Sequence, residues 1–137
     1  MTGQVPIELQ ILVWSAVLFV VSLLLAASGR TLTMGLDWAA GSRDETPGAV
    51  PQWGDRADRA FRNMRETFPL YGAFTVAVVA IDATSTMTAW GAVIYLVARV
   101  LYLPAYIFHV QFVRSLIWVA SMLGIAMLGL PLLIGGA

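Results

Sequence analysis

Four apolar segments divide the chain, and polar residues concentrate in the connections between them. A helix needs about 20 residues to cross the hydrocarbon core of a bilayer, and the length of each segment is close to this number. The second is the shortest, because its first dozen residues are strongly charged and its apolar part runs only from Thr67 to Ile81. The pattern predicts four transmembrane helices at about 7–28, 55–82, 88–110 and 114–134, with a polar loop at about 29–54.

The connections predict how these helices are arranged. The second and third connections are too short for anything but antiparallel neighbours, which indicates an up-down four-helix bundle. Four crossings use about 80 residues, and this leaves no room for a separate soluble catalytic domain in a chain of 137 residues. We therefore expect an all-α integral membrane protein with one domain over 1–137. Asp55 follows a glycine and is predicted to cap the second helix.

The arginines predict the orientation in the membrane. The first connection and the charged start of the second helix hold six of them, the third connection holds one, and both termini lack basic residues. The positive-inside rule then places the first and third connections in the cytoplasm and both termini outside. The six arginines are Arg30, Arg43, Arg56, Arg59, Arg62 and Arg65.

The composition excludes several classes of function. Eight basic and eight acidic residues give no net charge, so the chain lacks the basic field that nucleic acid binding requires. It has no cysteine and one histidine, and we therefore predict neither a disulfide nor a metal site. Any sulfur chemistry has to use sulfur from a ligand.

Two polar stripes lie within the apolar helices. One face of the second helix carries Arg56, Arg59, Asn63 and Glu66, because their spacing of three, four and three residues matches the helical period. The third helix carries a stripe of three tyrosines and one arginine, namely Tyr95, Arg99, Tyr102 and Tyr106. An intramembrane charge normally faces the interior of a bundle, so we expect the two stripes to meet near the cytoplasmic side.

Such a site suits a small ligand with carboxylates and an ammonium group. Guanidinium groups bind the carboxylates of a ligand with two parallel hydrogen bonds. The carboxylate of Glu66 can bind the ammonium of the same ligand. Glutathione has these groups and also supplies the thiol that the chain lacks. Arg114, at the start of the fourth helix, is predicted to lower the pKa of that thiol.

Three sequence motifs resemble those of the MAPEG family, the membrane-associated proteins in eicosanoid and glutathione metabolism. Residues 59–66 have the RAxxNxxE pattern of its second helix, residues 95–106 resemble its third helix, and Arg114 with Ser115 resembles the Arg-Ser pair that opens the fourth. The sequence departs from some members at Thr67, where they have a tyrosine, and at Tyr102, where they have a histidine.

The resemblance implies a homotrimer of four-helix bundles that binds glutathione between subunits. It implies a transferase or peroxidase that acts on lipophilic electrophiles or lipid hydroperoxides from the bilayer. The similarity to short bacterial members implies a bacterial inner membrane. Carried over by motif, Arg114 stabilises the thiolate with help from Ser115, and glutathione is held by Arg30, Arg59, Arg62, Asn63, Glu66, Arg99, Tyr102 and Tyr106.

Simpler interpretations stay open on the sequence alone. The charges of the second helix could form a solvated surface in which arginines pair with Asp55 and Asp58. Arg99 could pair with Glu66 only to fix the helix register, and tyrosines at helical spacing often serve packing. The whole chain could be a non-catalytic membrane scaffold, or an ion or proton pathway through Arg99 and the tyrosines.

Overall fold

All regular structure in the described part of the chain is α-helical. The computed structural model describes residues 3–42 and 51–135, so the predicted position of Arg43 lies outside it. Four long helices appear where the apolar segments predict them, and a short helix follows the first. The helices are α1 Ile7–Met34, α2 Leu36–Ala40, α3 Gln52–Ala80, α4 Thr86–Ile107 and α5 Gln111–Leu133.

Three of the described helices, α1, α4 and α5, are long and apolar enough to cross a membrane. Many of their large apolar side chains are exposed, including Trp14, Leu24 and Leu116, as suits a surface in contact with hydrocarbon. Helix α3 is not among these three helices, because its first turns are charged. The fold is thus that of an all-helical membrane protein, and a crossing by α3 stays a prediction.

The helices pack through aromatic and small residues. Tyr71 of α3 and Tyr95 of α4 are fully buried, and their rings stack with centroids 3.9 Å apart. The backbones of α4 and α5 approach closely at Gly91 and Gly124, where a Cβ on Gly124 would lie 2.6 Å from the Gly91 carbonyl oxygen. The core consists of Ile11, Tyr71, Ala92, Tyr95, Ile125 and Leu128.

The structure corrects the predicted start of the first loop. Helix α1 does not stop near residue 28 but continues through Arg30 to Met34, because this stretch contains no proline and Gly29 packs in the interior. It ends at Gly35, whose φ of 88° is a conformation that glycine adopts without steric cost. Arg30 is therefore part of a helix and not of a loop.

The start of α3 also differs from the prediction. The helix begins at Gln52, and the preceding Pro51 accepts the first backbone hydrogen bonds from Gly54 and Asp55. Asp55 is not its cap, since it lies in the first turn. There its carboxylate is placed favourably toward the positive end of the helix dipole.

The connection between α4 and α5 lies earlier in the chain than predicted. Helix α4 ends at Ile107 because His109 takes a left-handed conformation with φ of 62°, and α5 begins at Gln111. Residues 111–113, predicted as a link, thus belong to the first turn of α5. The backbone N–H of Arg114 donates to the Val110 carbonyl oxygen over 3.0 Å.

Candidate functional site

An open cleft lies at the end of the bundle where α4 ends and α5 begins. Its volume is about 310 Å³, at the lower end of the range of about 300 to 1,000 Å³ for small-molecule sites. Every lining side chain is polar and comes from α3, α4 or α5. The seven are Arg59, Arg62, Asn63, Glu66, Tyr102, Tyr106 and Arg114.

The antiparallel packing of α3 and α4 brings the two polar stripes together. The turn between these helices is short, so Glu66 on α3 lies at the depth of Tyr102 and Tyr106 on α4. All seven lining residues were predicted as site residues from the sequence. The structure thus places these side chains around one cleft, while their roles toward a ligand stay predictions.

The lining has an excess of positive charge. Arg59, Arg62 and Arg114 contribute three guanidinium groups against the single carboxylate of Glu66, a net charge of two positive. Within residues 3–42 and 51–135, neither Arg59 nor Glu66 forms a hydrogen bond or an ion pair. Both groups are free to pair with a ligand of opposite charge.

Asp58 fixes Arg62 at the rim of the cleft. The Arg62 Nε and Nη2 atoms both donate to Asp58 Oδ2, over 3.0 and 2.6 Å. The other Asp58 oxygen lies 3.6 Å from Arg30 Nη2 of α1. Arg30 therefore does not line the cleft and reaches it only through Asp58.

Arg99 lies behind the cleft and not in it. Its side chain is buried, and Nη2 donates to Asn63 Oδ1 over 2.6 Å while Nη1 lies 3.5 Å from Ser121 Oγ. The guanidinium also covers the Tyr102 ring at 4.4 Å. The hypothesis that Arg99 pairs with Glu66 is therefore wrong, since its acceptor is Asn63. Because Oδ1 faces Arg99, the amide NH₂ of Asn63 is the group left to donate elsewhere.

Arg114 and Ser115 differ in their positions. The Arg114 guanidinium lies 4.6 Å from the centroid of the Tyr106 ring, a favourable cation–π geometry that holds it at the cleft wall. Ser115 is exposed and does not line the cleft, and its hydroxyl donates to the Gln111 carbonyl oxygen over 3.3 Å. The structure thus supports the predicted location of Arg114 and does not bring Ser115 to the site.

Three residues support the cleft through contacts that the sequence interpretation did not assign. Arg56 Nη1 donates to the Ile107 carbonyl oxygen over 3.0 Å and thereby ties α3 to the C-terminal end of α4. Asp58 positions Arg62, and Ser121 of α5 lies beside Arg99. The sequence placed Arg56 on the polar face of the second helix and made Asp58 a candidate partner for an arginine, but it specified neither contact. Ser121 is a single hydroxyl in an apolar helix. Only the contacts identify their roles.

The comparisons with known proteins give one match. No curated protein and no solved structure matches the chain significantly. Residues 11–134, which include every side chain of the cleft, match the model of the MAPEG family.

Proposed function

Because the chain belongs to the MAPEG family, we propose that it is a glutathione-dependent membrane transferase or peroxidase. Its substrates would be lipophilic electrophiles or lipid hydroperoxides that arrive from the bilayer. The observation that carries this proposal is the open cleft in which Arg59 and Glu66 have no partner in the described part of the chain, next to Arg114. Family membership itself supports a membrane protein of glutathione or eicosanoid metabolism.

The charges of the cleft suit glutathione. That tripeptide carries two carboxylates and one ammonium, and its thiol adds a further negative charge when it ionises. Its ionised form thus has two net negative charges, which complement the two positive charges of the lining residues. A dicarboxylate without an ammonium would leave Glu66 facing like charge.

The lining residues can divide the work of binding. Arg59 offers a planar guanidinium that binds a carboxylate through two hydrogen bonds, and the Asn63 amide donates beside it. Glu66 can accept hydrogen bonds from the ammonium. Tyr102 and Tyr106 add hydroxyl groups on the opposite wall, while Arg62 is held in place by Asp58 and contributes mainly its charge.

Glutathione would supply the reactive thiol, since the chain has no cysteine. Arg114 is the residue that we assign to its ionisation. Within the described residues its guanidinium has an aromatic neighbour but no carboxylate partner, so its charge is available to a thiolate. Ser115 could assist only after a rotation of its side chain or from a neighbouring subunit.

The assembly follows from the same family resemblance. We propose that α3 also crosses the membrane, so that the chain crosses it four times. Three copies then form a homotrimer in which a neighbouring subunit closes the open side of each cleft. The orientation predicted from the arginines would place the cleft on the cytoplasmic side. The bacterial inner membrane is the proposed location.

Calorimetric titration of the purified protein with glutathione tests the proposal. We expect saturable binding that the Glu66→Gln substitution weakens about tenfold, since a hydrogen bond to a charged group contributes about 1.5–3 kcal/mol. An analogue of glutathione without the amino group should bind wild type more weakly but bind the Glu66→Gln variant as glutathione does. If wild-type protein binds no glutathione, the enzymatic proposal is wrong, and the result favours the hypothesis of a non-catalytic membrane scaffold.

The Arg114→Gln substitution should raise the pKa of the bound thiol. A free cysteine thiol has a pKa of about 8.5, and a nearby guanidinium stabilises only the ionised form, so wild type depresses this pKa. Without that charge the thiolate should form at a pH at least one unit higher, which corresponds to a loss of about 1.36 kcal/mol of thiolate stabilisation. Ultraviolet absorbance of the thiolate, followed against pH, measures the shift. Identical titration curves for both proteins would contradict the role of Arg114.

A further inference from the structure

A second pocket lies at the opposite end of the bundle from the cleft. It opens between the start of α1 and the turn that joins α3 to α4, and its volume of about 600 Å³ exceeds that of the cleft. Most of its lining groups are hydrogen-bond acceptors on side chains. The polar residues around it are Gln4, Glu8, Gln10, Thr84, Ser85 and Thr86.

Glu8 is a buried carboxylate in the wall of this pocket. Its side chain is only 2% exposed, and Oε1 lies 2.6 Å from the Thr88 hydroxyl. Thr88 is in turn fixed by its capping box with Ser85. An ionised carboxylate accepts about four hydrogen bonds, yet within the described residues Oε2 has no partner. Glu8 nevertheless belongs to the pocket lining, so part of its side chain borders the open space.

Among the described residues, the side chains at this end carry negative charge and no positive charge. Glu8 and Asp82 are its acidic residues, and the described arginines lie in the bundle core, as Arg99 does, or toward the cleft end. Neither acid forms an ion pair among the residues of known position. A buried carboxylate is normally either neutralised or paired with a cation, and the described residues offer Glu8 no cation. The pocket therefore favours a cation that these residues do not supply.

The chemistry of the lining selects the kind of cation. A metal ion needs several carboxylate, histidine or thiolate ligands, and the described ranges contain no cluster of three such residues. A primary ammonium needs fewer charges, because its three N–H donors can be shared between one carboxylate and neutral oxygens. Hydroxyl and amide oxygens are the remaining acceptors here.

We propose that this pocket binds a primary ammonium group, with Glu8 as its counter-ion. The ammonium can belong to the headgroup of an ethanolamine phospholipid or to a small free amine, since both present the same group. The site lies at helix ends, the level at which lipid headgroups meet a membrane protein. It shares no residue with the cleft, so it does not depend on the proposed enzymatic activity.

Native mass spectrometry of the full chain in detergent can test this site. Phosphatidylethanolamine and phosphatidylcholine with identical acyl chains are compared, because the quaternary ammonium of choline has no N–H to donate. We expect wild type to bind the ethanolamine lipid at least tenfold more tightly, the E8Q variant to lose this preference and the D82N variant to keep it. Asp82 is the matched control, since it carries the same charge at the same end but does not line the pocket.

Calorimetry with free ethanolamine distinguishes the source of the ammonium. Binding of ethanolamine that E8Q abolishes, without a lipid preference, supports the site with a free amine as its ligand. No preference between the lipids together with no ethanolamine binding overturns the proposal, as does a preference that E8Q retains. If E8Q does not fold, the A89F variant fills the pocket from its apolar wall, and it must remove the same binding for the proposal to stand.

Discussion

Changing Gly124 to alanine should lower the free energy of unfolding by about 3 kcal/mol, the upper end of the usual cost of overpacking. The added Cβ would lie 2.6 Å from the Gly91 carbonyl oxygen and 2.9 Å from the Tyr95 backbone nitrogen. Both are backbone atoms of α4, so no side-chain rotation can relieve the contact. Helices α4 and α5 have to move apart, and this loosens the packing of the Tyr71–Tyr95 stack.

Unfolding in mixed detergent micelles measures this effect, with two other glycines as a graded control. Gly72→Ala should be nearly neutral, because its Cβ would meet only the Leu12 Cδ1 atom at 3.8 Å. The loss of stability in Gly129→Ala should lie between those of the other two variants, since its Cβ would meet the Phe74 side chain, which can rotate. Equal stability of the Gly124→Ala and Gly72→Ala variants would contradict the close approach of α4 and α5.

Changing Arg59 to alanine should weaken glutathione binding about 100-fold. Loss of a two-pronged contact between a guanidinium and a carboxylate removes hydrogen bonds to charged groups worth about 1.5–3 kcal/mol, and 100-fold corresponds to about 2.7 kcal/mol. Arg59 has no carboxylate partner within the described residues, so the substitution breaks no ion pair there. The fold should therefore persist while affinity falls.

Arg65→Ala is the matched control for this measurement. Arg65 lies on the same helix and carries the same charge, but it lies outside the cleft lining, with its guanidinium 5.9 Å from the Phe61 ring centroid. Calorimetric titrations should show nearly unchanged affinity for this variant. If both variants lose affinity equally, the cleft attracts glutathione only through its general charge, and the specific contact with Arg59 is refuted.

The helices and polar stripes were predictable because local patterns encode them. An apolar run of bilayer length predicts a membrane helix, and residues three or four apart share a face whatever surrounds them. The spacing of Arg59, Asn63 and Glu66 was therefore enough to predict one polar surface. The short turn near residue 83 was enough to bring that surface beside Tyr102 and Tyr106.

The helix ends and the partners of the charges were less predictable. Gly29 suggested a loop, yet its burial against the bundle lets α1 continue to Met34. Arg99 could have paired with Glu66 or Asn63, which lie less than one helical turn apart on α3. The side chains of Asn63 and Glu66 point in different directions around α3. Which of them faces Arg99 depends on how α3 and α4 are rotated against each other.

By itself the sequence determined the membrane class, the four long helices and the seven side chains of the cleft, because hydropathy, helical period and short turns act over a few residues. Its motifs, and not these patterns, identified the family. Tertiary packing alone decided that Arg99 supports Asn63 from behind, that Arg30 of α1 reaches Asp58 of α3, and that Glu8 is buried in a second pocket. Those contacts join residues far apart in the chain. They depend on the rotation and approach of whole helices, which no local pattern specifies.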